Sequence, residues 1–481
     1  MKNIDINKLK RPVIYGKIPL KLPHLKGDHM FTGLKYQLEV TDTLIDDILP
    51  QDNELIKLKK ALNWEKINSI YSQCFPSKRG RSTKKTDMSL GLLILKHLYR
   101  KSDRDLVRDL HLNTSYMHFC GLSYSEVSEA NRLGKQVIDA STLTRIRAKL
   151  GPQRTERIVK EVTSDLIARK IIDGKILLTD TTSLEKNISY PTEVSLLSRV
   201  IAEAAVVTQN IRYKKDMAVT ETIKRAKKIS KVYHSASRKT DRLLKDTTGA
   251  LLKIAKSQIG EASYAVDSMA DCVSAVTMER LRKLKTTGKT IVSQVESKLA
   301  GRPAAKRILS YHEEAAVSLP KSRPGKPCAF GAKLSLSVSG NGYVTGHTLH
   351  EKNIADIDTL EDAVKDHINK FGKKFKEASA DRAYYDKDLI ERLEGKHKIK
   401  IAIPHKKRKE PLPQDKEDLY RKRAAVEAKI SEGKRMTGMG KSYYSGFSGD
   451  RIWAGLSVLA LNLRQLLKDM DRKPELIYQF G

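Results

Sequence analysis

From Tyr420 the chain runs on through Arg423, Glu427 and Lys434, at offsets of three, seven and fourteen residues. On an α-helix those offsets bring all four side chains near one face. That face would carry one carboxylate flanked by two cations and a phenol, a set suited to gripping a metal ion and the phosphates around it. Glu432, five positions beyond Glu427, would lie roughly 140° away around such a helix, which leaves Glu427 as the acid facing the metal. One carboxylate on a helix is only part of a metal site. Two more acids are required, from the ends of strands.

The run Lys175-Ile176-Leu177-Leu178-Thr179 has the apolar character of a buried central strand and delivers Asp180 at its C-terminal end. A second run of small residues, Ala378-Ser379-Ala380, ends at Asp381 ahead of a helix expected to start near Tyr385. An Asp-Thr-Thr by itself is the ordinary composition of a cap or turn, and a lone Glu427 pairs naturally with Arg423 four residues earlier. The joint occurrence, in order, is what carries weight. The words around the acids are Asp180-Thr181-Thr182, Glu185, Asn187, Tyr190-Pro191-Thr192 and Asp381-Arg382-Ala383-Tyr384-Tyr385. On these motifs the chain resembles the DDE transposases of bacterial insertion sequences. Within them it resembles the subgroup with an N-terminal helical domain and the signature Y-x2-R-x3-E-x6-K.

The resemblance implies that Asp180, Asp381 and Glu427 are the catalytic residues and hold two Mg²⁺ ions, with Mn²⁺ as a substitute. Mg²⁺ takes a few carboxylates and leaves open positions for water and phosphate oxygens. Two such ions roughly 3.5 to 4 Å apart activate the attacking oxygen and stabilise the departing one during in-line displacement, with no covalent enzyme intermediate. By the same resemblance Asp180 bridges both ions, Arg423 and Lys434 contact phosphate or orient Glu427, and Tyr420 packs on a DNA sugar or base. The expected partners are transposon-end DNA and target DNA, bound by a homodimer that brings two ends together; no small-molecule substrate is expected. A structure-specific nuclease would use the same core, and a catalytically inactive DNA-binding relative would share its charge. The presence of all three acids argues against the second; nothing in the residues separates cleavage from strand transfer.

Composition agrees. Lys and Arg number 91 against 57 Asp and Glu, a formal charge of +34 that points to a polyanionic partner. An acidic membrane surface would also attract it, but no run approaches the roughly 18 to 20 apolar residues of a spanning helix. The start, Met1-Lys2-Asn3-Ile4-Asp5, has no secretory apolar region, and the four cysteines at 74, 120, 272 and 328 form no C-x-x-C pair. The expected setting is a reducing bacterial cytoplasm, in association with the nucleoid.

The elements that must position the acids divide the chain into four parts. Residues 1–55 read as a basic arm punctuated by Pro12, Pro19 and Pro23. Residues 56–155 read as a helical DNA-binding domain, with Leu90, Leu93, Ile94, His97 and Leu98 at helical spacing and Ser102 as a cap. Gly80-Arg81-Ser82, Tyr99-Arg100-Lys101-Ser102-Asp103 and Phe119-Cys120-Gly121-Leu122 extend the family resemblance into this part. A helix introduced by Asp139 presents Arg145, Arg147 and Lys149, in the manner of a recognition helix in a DNA groove. Residues 156–197 and 320–481 read as a ribonuclease H-like catalytic core with a mixed five-stranded sheet, and residues 198–319 as an all-helical insertion into it. Gly340-Asn341-Gly342 reads as a hairpin turn. The run His405-Lys406-Lys407-Arg408-Lys409, between the second and third acids, reads as a DNA-facing loop whose Lys406, Lys407 and Arg408 contact phosphate. The fold class expected is therefore α/β.

Overall fold

The computed structural model describes residues 49–74, 85–212, 217–268, 273–304, 307–321, 328–406 and 411–480. Most of the expected basic arm, Gly80-Arg81-Ser82, and Lys407 with Arg408 lie outside the described residues.

The N-terminal part is helical, as its periodicity predicts: α1 (Glu54–Ala61), α2 (Trp64–Ser72), α3 (Thr86–Leu98), α4 (Asp103–Leu110), α5 (Thr114–Phe119), α6 (Tyr124–Arg132) and α7 (Ala140–Ala168). The short helices start on side chains that satisfy their first free N–H groups: Asn53, Asn63, Ser102, Asn113 and, with Glu126 in a capping box, Ser123. Helix α3 is buried on every side from Asp87 to Leu98, which makes it the axle of this bundle. Helix α7 is two helices joined at Gly151, whose φ of 67° only a glycine adopts without strain, with Pro152 opening the second.

Strand β1 (Ile176–Lys186) follows, then a helical block: α8 (Glu193–Arg212), α9 (Met217–Ser235), α10 (Asp241–Asp267), α11 (Ala275–Lys283) and α12 (Lys289–Leu299). The block packs Val200, Ile201, Ala204, Leu251, Ala255, Ile259 and Val295 into an apolar core of its own. The chain then returns to the sheet through β2 (Val317–Pro320), β3 (Cys328–Ser339), β4 (Val344–His350), α13 (Leu360–Phe371), β5 (Glu377–Ser379), α14 (Lys387–His397) and β6 (Lys400–Ala402). It ends with α15 (Gln414–Arg421), α16 (Ala424–Glu432), β7 (Lys441–Ser442) and α17 (Gly446–Arg472).

The sheet is mixed and has seven strands rather than the expected five. Its main path is β4-β3-β1-β5-β6, antiparallel across β4, β3 and β1 and parallel across β1, β5 and β6, in keeping with a ribonuclease H-like core. The two additions are short. β2 lengthens the β4 edge of β3, and β7 pairs with the far end of β1. The β3–β4 hairpin turns through Gly340-Asn341-Gly342, as read from the sequence, with Gly342 at φ 87°.

One apolar core runs from Leu55 in α1 through β1 and β3 to Met470 in α17, so the N-terminal helices pack against the sheet. Trp453 of α17 is an anchor of this core, 7% exposed, its indole N–H donating to the Gly438 carbonyl at 2.8 Å.

Candidate active site

Asp180 does not end its strand, as the apolar run suggested, but is the fifth of eleven residues in β1. The run of polar Thr residues after it remains extended because β3 pairs with β1 all the way from Leu177 to Glu185. The other edge of β1 is different. There β5 pairs only with Ile176 to Leu178, and β7 only with Glu185 and Lys186. Between those two short strands the edge of β1 has no paired strand among the described residues, and the candidate residues lie around this opening.

The parallel register brings the first two acids together. Ile176 pairs with Glu377 and Leu178 with Ser379, so the same offset carried two residues further sets Asp180 beside Asp381. Asp381 accepts from the Arg382 N–H at 2.5 Å, where a 3₁₀ turn (Arg382–Tyr384) leads to α14. Burial pushes the Asp180 carboxyl up to about 6, and the neighbouring charges of Asp381 and Asp356 add to the shift. The Thr181 N–H, at 2.7 Å, and the Arg423 guanidinium oppose it.

The signature residues arrive on three pieces rather than the single helix its spacing suggested. α15 ends at Arg421, a turn at Lys422 and Arg423 leads into α16, and a π turn (Gly433–Thr437) carries Lys434. Arg423 is the hub. One guanidinium nitrogen lies 3.4 Å from Asp180 and the other 2.5 Å from Glu427, and the Tyr420 ring lies 5.6 Å from the guanidinium carbon. Burial works against the Arg423 charge, but Asp381, Glu427 and Asp180 around it outweigh that and raise its pKa further. Lys434 instead packs toward Gly440 and lines a neighbouring cavity. π turns occur frequently at functional sites because the extra residue re-aims the side chains that follow it.

Asp180 and Asp381 offer the oxygen donors that a divalent cation takes, and a cation beside them would relieve the unfavourable ionisation of Asp180. Among the described residues, however, no three acidic, His or Cys side chains are already gathered as a cage. Arg423 stands between Asp180 and Glu427.

Of the residues expected to touch DNA, Arg145 and Lys149 are exposed on the first half of α7, and Lys406 is exposed after β6. Arg147 is placed differently from its two neighbours. It is 8% exposed, pairs with Asp103 at 2.8 Å and lies 4.4 Å above the Tyr444 ring, because a guanidinium on that side of α7 meets the N-terminus of α4 rather than solvent. Sequence reading missed Asp356 and Lys333. Asp356 accepts from the Thr181 hydroxyl at 2.7 Å and from Lys333 at 3.0 Å, beside the first acid. Its local setting, an acid ahead of a helix, is indistinguishable from a cap.

The mixed sheet, with Asp180 beside Asp381 and Arg423 linking Asp180 to Glu427, is in keeping with a ribonuclease H-like α/β core. Two family models match the chain: the Transposase domain (DUF772) over residues 43–149 and the Transposase DDE domain over residues 317–463. The protein belongs to the DDE transposases of insertion sequences, enzymes that act on DNA. The second match includes Asp381 and Glu427, whereas Asp180 lies between the two matches and joins them only in the fold. The uncharacterized protein ORF8 in the nfe locus of Rhizobium meliloti is 26% identical over 160 residues, 33% of this chain and 73% of that one. No solved structure matches the chain. Among the described residues no helix is long and apolar enough to cross a membrane.

Proposed function

We propose that this transposase binds the ends of its own mobile element, cleaves them and joins them to target DNA by in-line phosphoryl transfer. The observation that carries the reading is Arg423, which links Asp180 to Glu427 while Asp381 continues the register beside Asp180. Asp180, Asp381 and Glu427 would hold two Mg²⁺ ions, or Mn²⁺ in their place. Bound there, the ions supply Lewis-acid activation of the attacking and leaving oxygens. Arg423 has the planar fork that binds phosphate, and the Tyr420 ring lies 5.6 Å from its guanidinium carbon. As a phosphate approaches, Arg423 would exchange a carboxylate partner for it and release the acid to metal. Arg145 and Lys149 on α7, with Lys406, Lys407 and Arg408 after β6, would hold the DNA backbone. In this reading the core is ribonuclease H-like, α8 to α12 form an insertion, the N-terminal helices bind DNA, and two protomers pair two ends.

The test is incubation of the protein with the DNA that flanks its own coding region, plus Mg²⁺ and an acceptor duplex. Joined products are expected. Cleavage without joining would mark a nuclease, and no reaction at all would overturn both steps.

A further inference from the structure

The helical block between β1 and β2 treats its charges in two ways. Over much of it cations meet acids: Arg199 lies 3.2 Å from Glu203 and Lys283 3.5 Å from Glu314, while Lys256 and Lys298 pair with Glu296 and Glu193. The outer face of α9 is different. Residues 223–240 hold seven Lys and Arg and no Asp or Glu. Ala226 and Tyr233, seven residues apart and so on one side of α9, are buried in the block's own core. Lys224, Lys228 and Lys231 lie roughly 140–200° around the helix from Ala226, and Lys227 about 100°. All four are exposed. Lys224 pairs with Glu221 at 2.7 Å, whereas Lys227, Lys228 and Lys231 have no acidic partner among the described residues.

This arrangement works against the helix that carries it. Lys224 and Lys228, Lys227 and Lys231, and Lys228 and Lys231 are like charges three or four residues apart, a spacing at which they repel. The helix dipole does not account for them, because it favours cations in the last turn, where His234 stands instead. The groove beside this face, about 690 Å³ between α9 and α10, adds Arg225, Lys245 and Lys253, again without an acidic partner among the described residues. Its two acids are turned elsewhere, Asp246 to Arg242 at 3.8 Å and Glu261 to the Gln258 amide at 2.8 Å. A row of unneutralised cations along one face is complementary to a row of phosphates.

We infer that the outer face of α9 binds the phosphate backbone of duplex DNA. The inference rests on the DNA-processing reading above and adds a second hold on the duplex, carried by the helical block and separate from the acids, the signature segment and α7. Lysines present compact point charges rather than the planar forks and amides that read base edges, so this contact is independent of sequence. Because α9 buries its other side in a core of the block's own, neutralising the outer face leaves that packing intact.

The test is fluorescence anisotropy with the full chain and a duplex of random sequence in EDTA, where no cleavage occurs. Lys227→Gln/Lys228→Gln/Lys231→Gln is compared with a control triple of equal charge, Lys373→Gln/Lys374→Gln/Lys396→Gln, at exposed positions, and thermal unfolding verifies that both fold. The α9 triple should bind about 10-fold more weakly, and its slope of log K against log salt should be smaller by about 2.7, roughly 0.9 for each lost phosphate contact. The loss should be equal on terminal DNA, and Lys227→Arg/Lys228→Arg/Lys231→Arg should restore affinity. Equal affinity and slope for the α9 and control triples would overturn the inference while leaving the DNA-processing reading in place; a parent chain that binds no duplex would overturn both. Unchanged DNA binding with lost adhesion to anionic lipid vesicles would assign the face to a membrane surface and also overturn it.

Discussion

Glu427 and Glu432 lie five residues apart on α16 and face different partners. Glu427, 55% exposed, meets Arg423, whereas Glu432, 13% exposed, is held by Lys429 and Lys468 at 2.9 and 2.6 Å. Glu427→Gln should keep the fold and DNA binding but reduce Mg²⁺-dependent cleavage to background. Glu432→Gln should retain cleavage yet lose about 1–3 kcal/mol of stability, because buried Lys429 loses its charged partner. The sequence alone predicts that the Glu432 change is nearly silent; the Lys429 contact confines that silence to catalysis. Cleavage assays beside urea unfolding decide it, and an active Glu427 variant with a dead Glu432 variant would reverse the assignment.

Ionised Asp180 is costly to the fold at neutral pH. Its carboxyl titrates at about 6 in the fold, against an ordinary 3.8, so between these values the folded protein keeps a proton that the unfolded chain releases. The stability tied to this proton is fully present below about pH 4 and is lost as pH rises through about 6. Asp180→Asn should therefore be more stable than the parent near neutral pH in EDTA, by up to about 3 kcal/mol, with the gain vanishing in acid. Added Mg²⁺ should stabilise the parent and not the variant. Denaturant midpoints measured with and without metal would expose a failure of either part.

Arg145 and Arg147 should part company on substitution. Arg145→Ala, at an exposed position, should weaken binding to terminal DNA more than to random duplex if α7 reads bases; equal losses would make it a backbone contact. Arg147→Ala leaves Asp103 with Lys96 alone and should lower stability by about 3–5 kcal/mol, as breaking a buried pair does. Thermal unfolding and two binding titrations separate the effects.

Lys186 ties three segments together. It is 6% exposed, contacts Asp450 at 2.7 Å and Glu313 at 2.9 Å, and donates to the Tyr444 carbonyl at 2.7 Å. Lys186→Met should leave two partly buried acids facing each other and cost about 3–5 kcal/mol. A thermal midpoint within experimental error of the parent's would show that the node is dispensable.

Sequence by itself determined the family, the β3–β4 hairpin and the capped apolar periodicity of the N-terminal helices, and it set out three candidate acids in order with Arg423 four residues before Glu427. These are short-range features, set by side-chain spacing and by the first free N–H groups of each helix. Tertiary structure decided the rest. β2 and β7 are too short to announce themselves and exist because β3 and β1 offer unpaired edges, so seven strands stand where the pattern suggested five. Asp180 lies mid-strand because β3 holds the polar Thr residues beyond it extended. Arg147 turns inward toward Asp103, 44 residues earlier, and Asp356 reaches Thr181 across 175 residues. Such pairings depend on burial and charge supplied by distant segments, and no local window of the chain contains both partners.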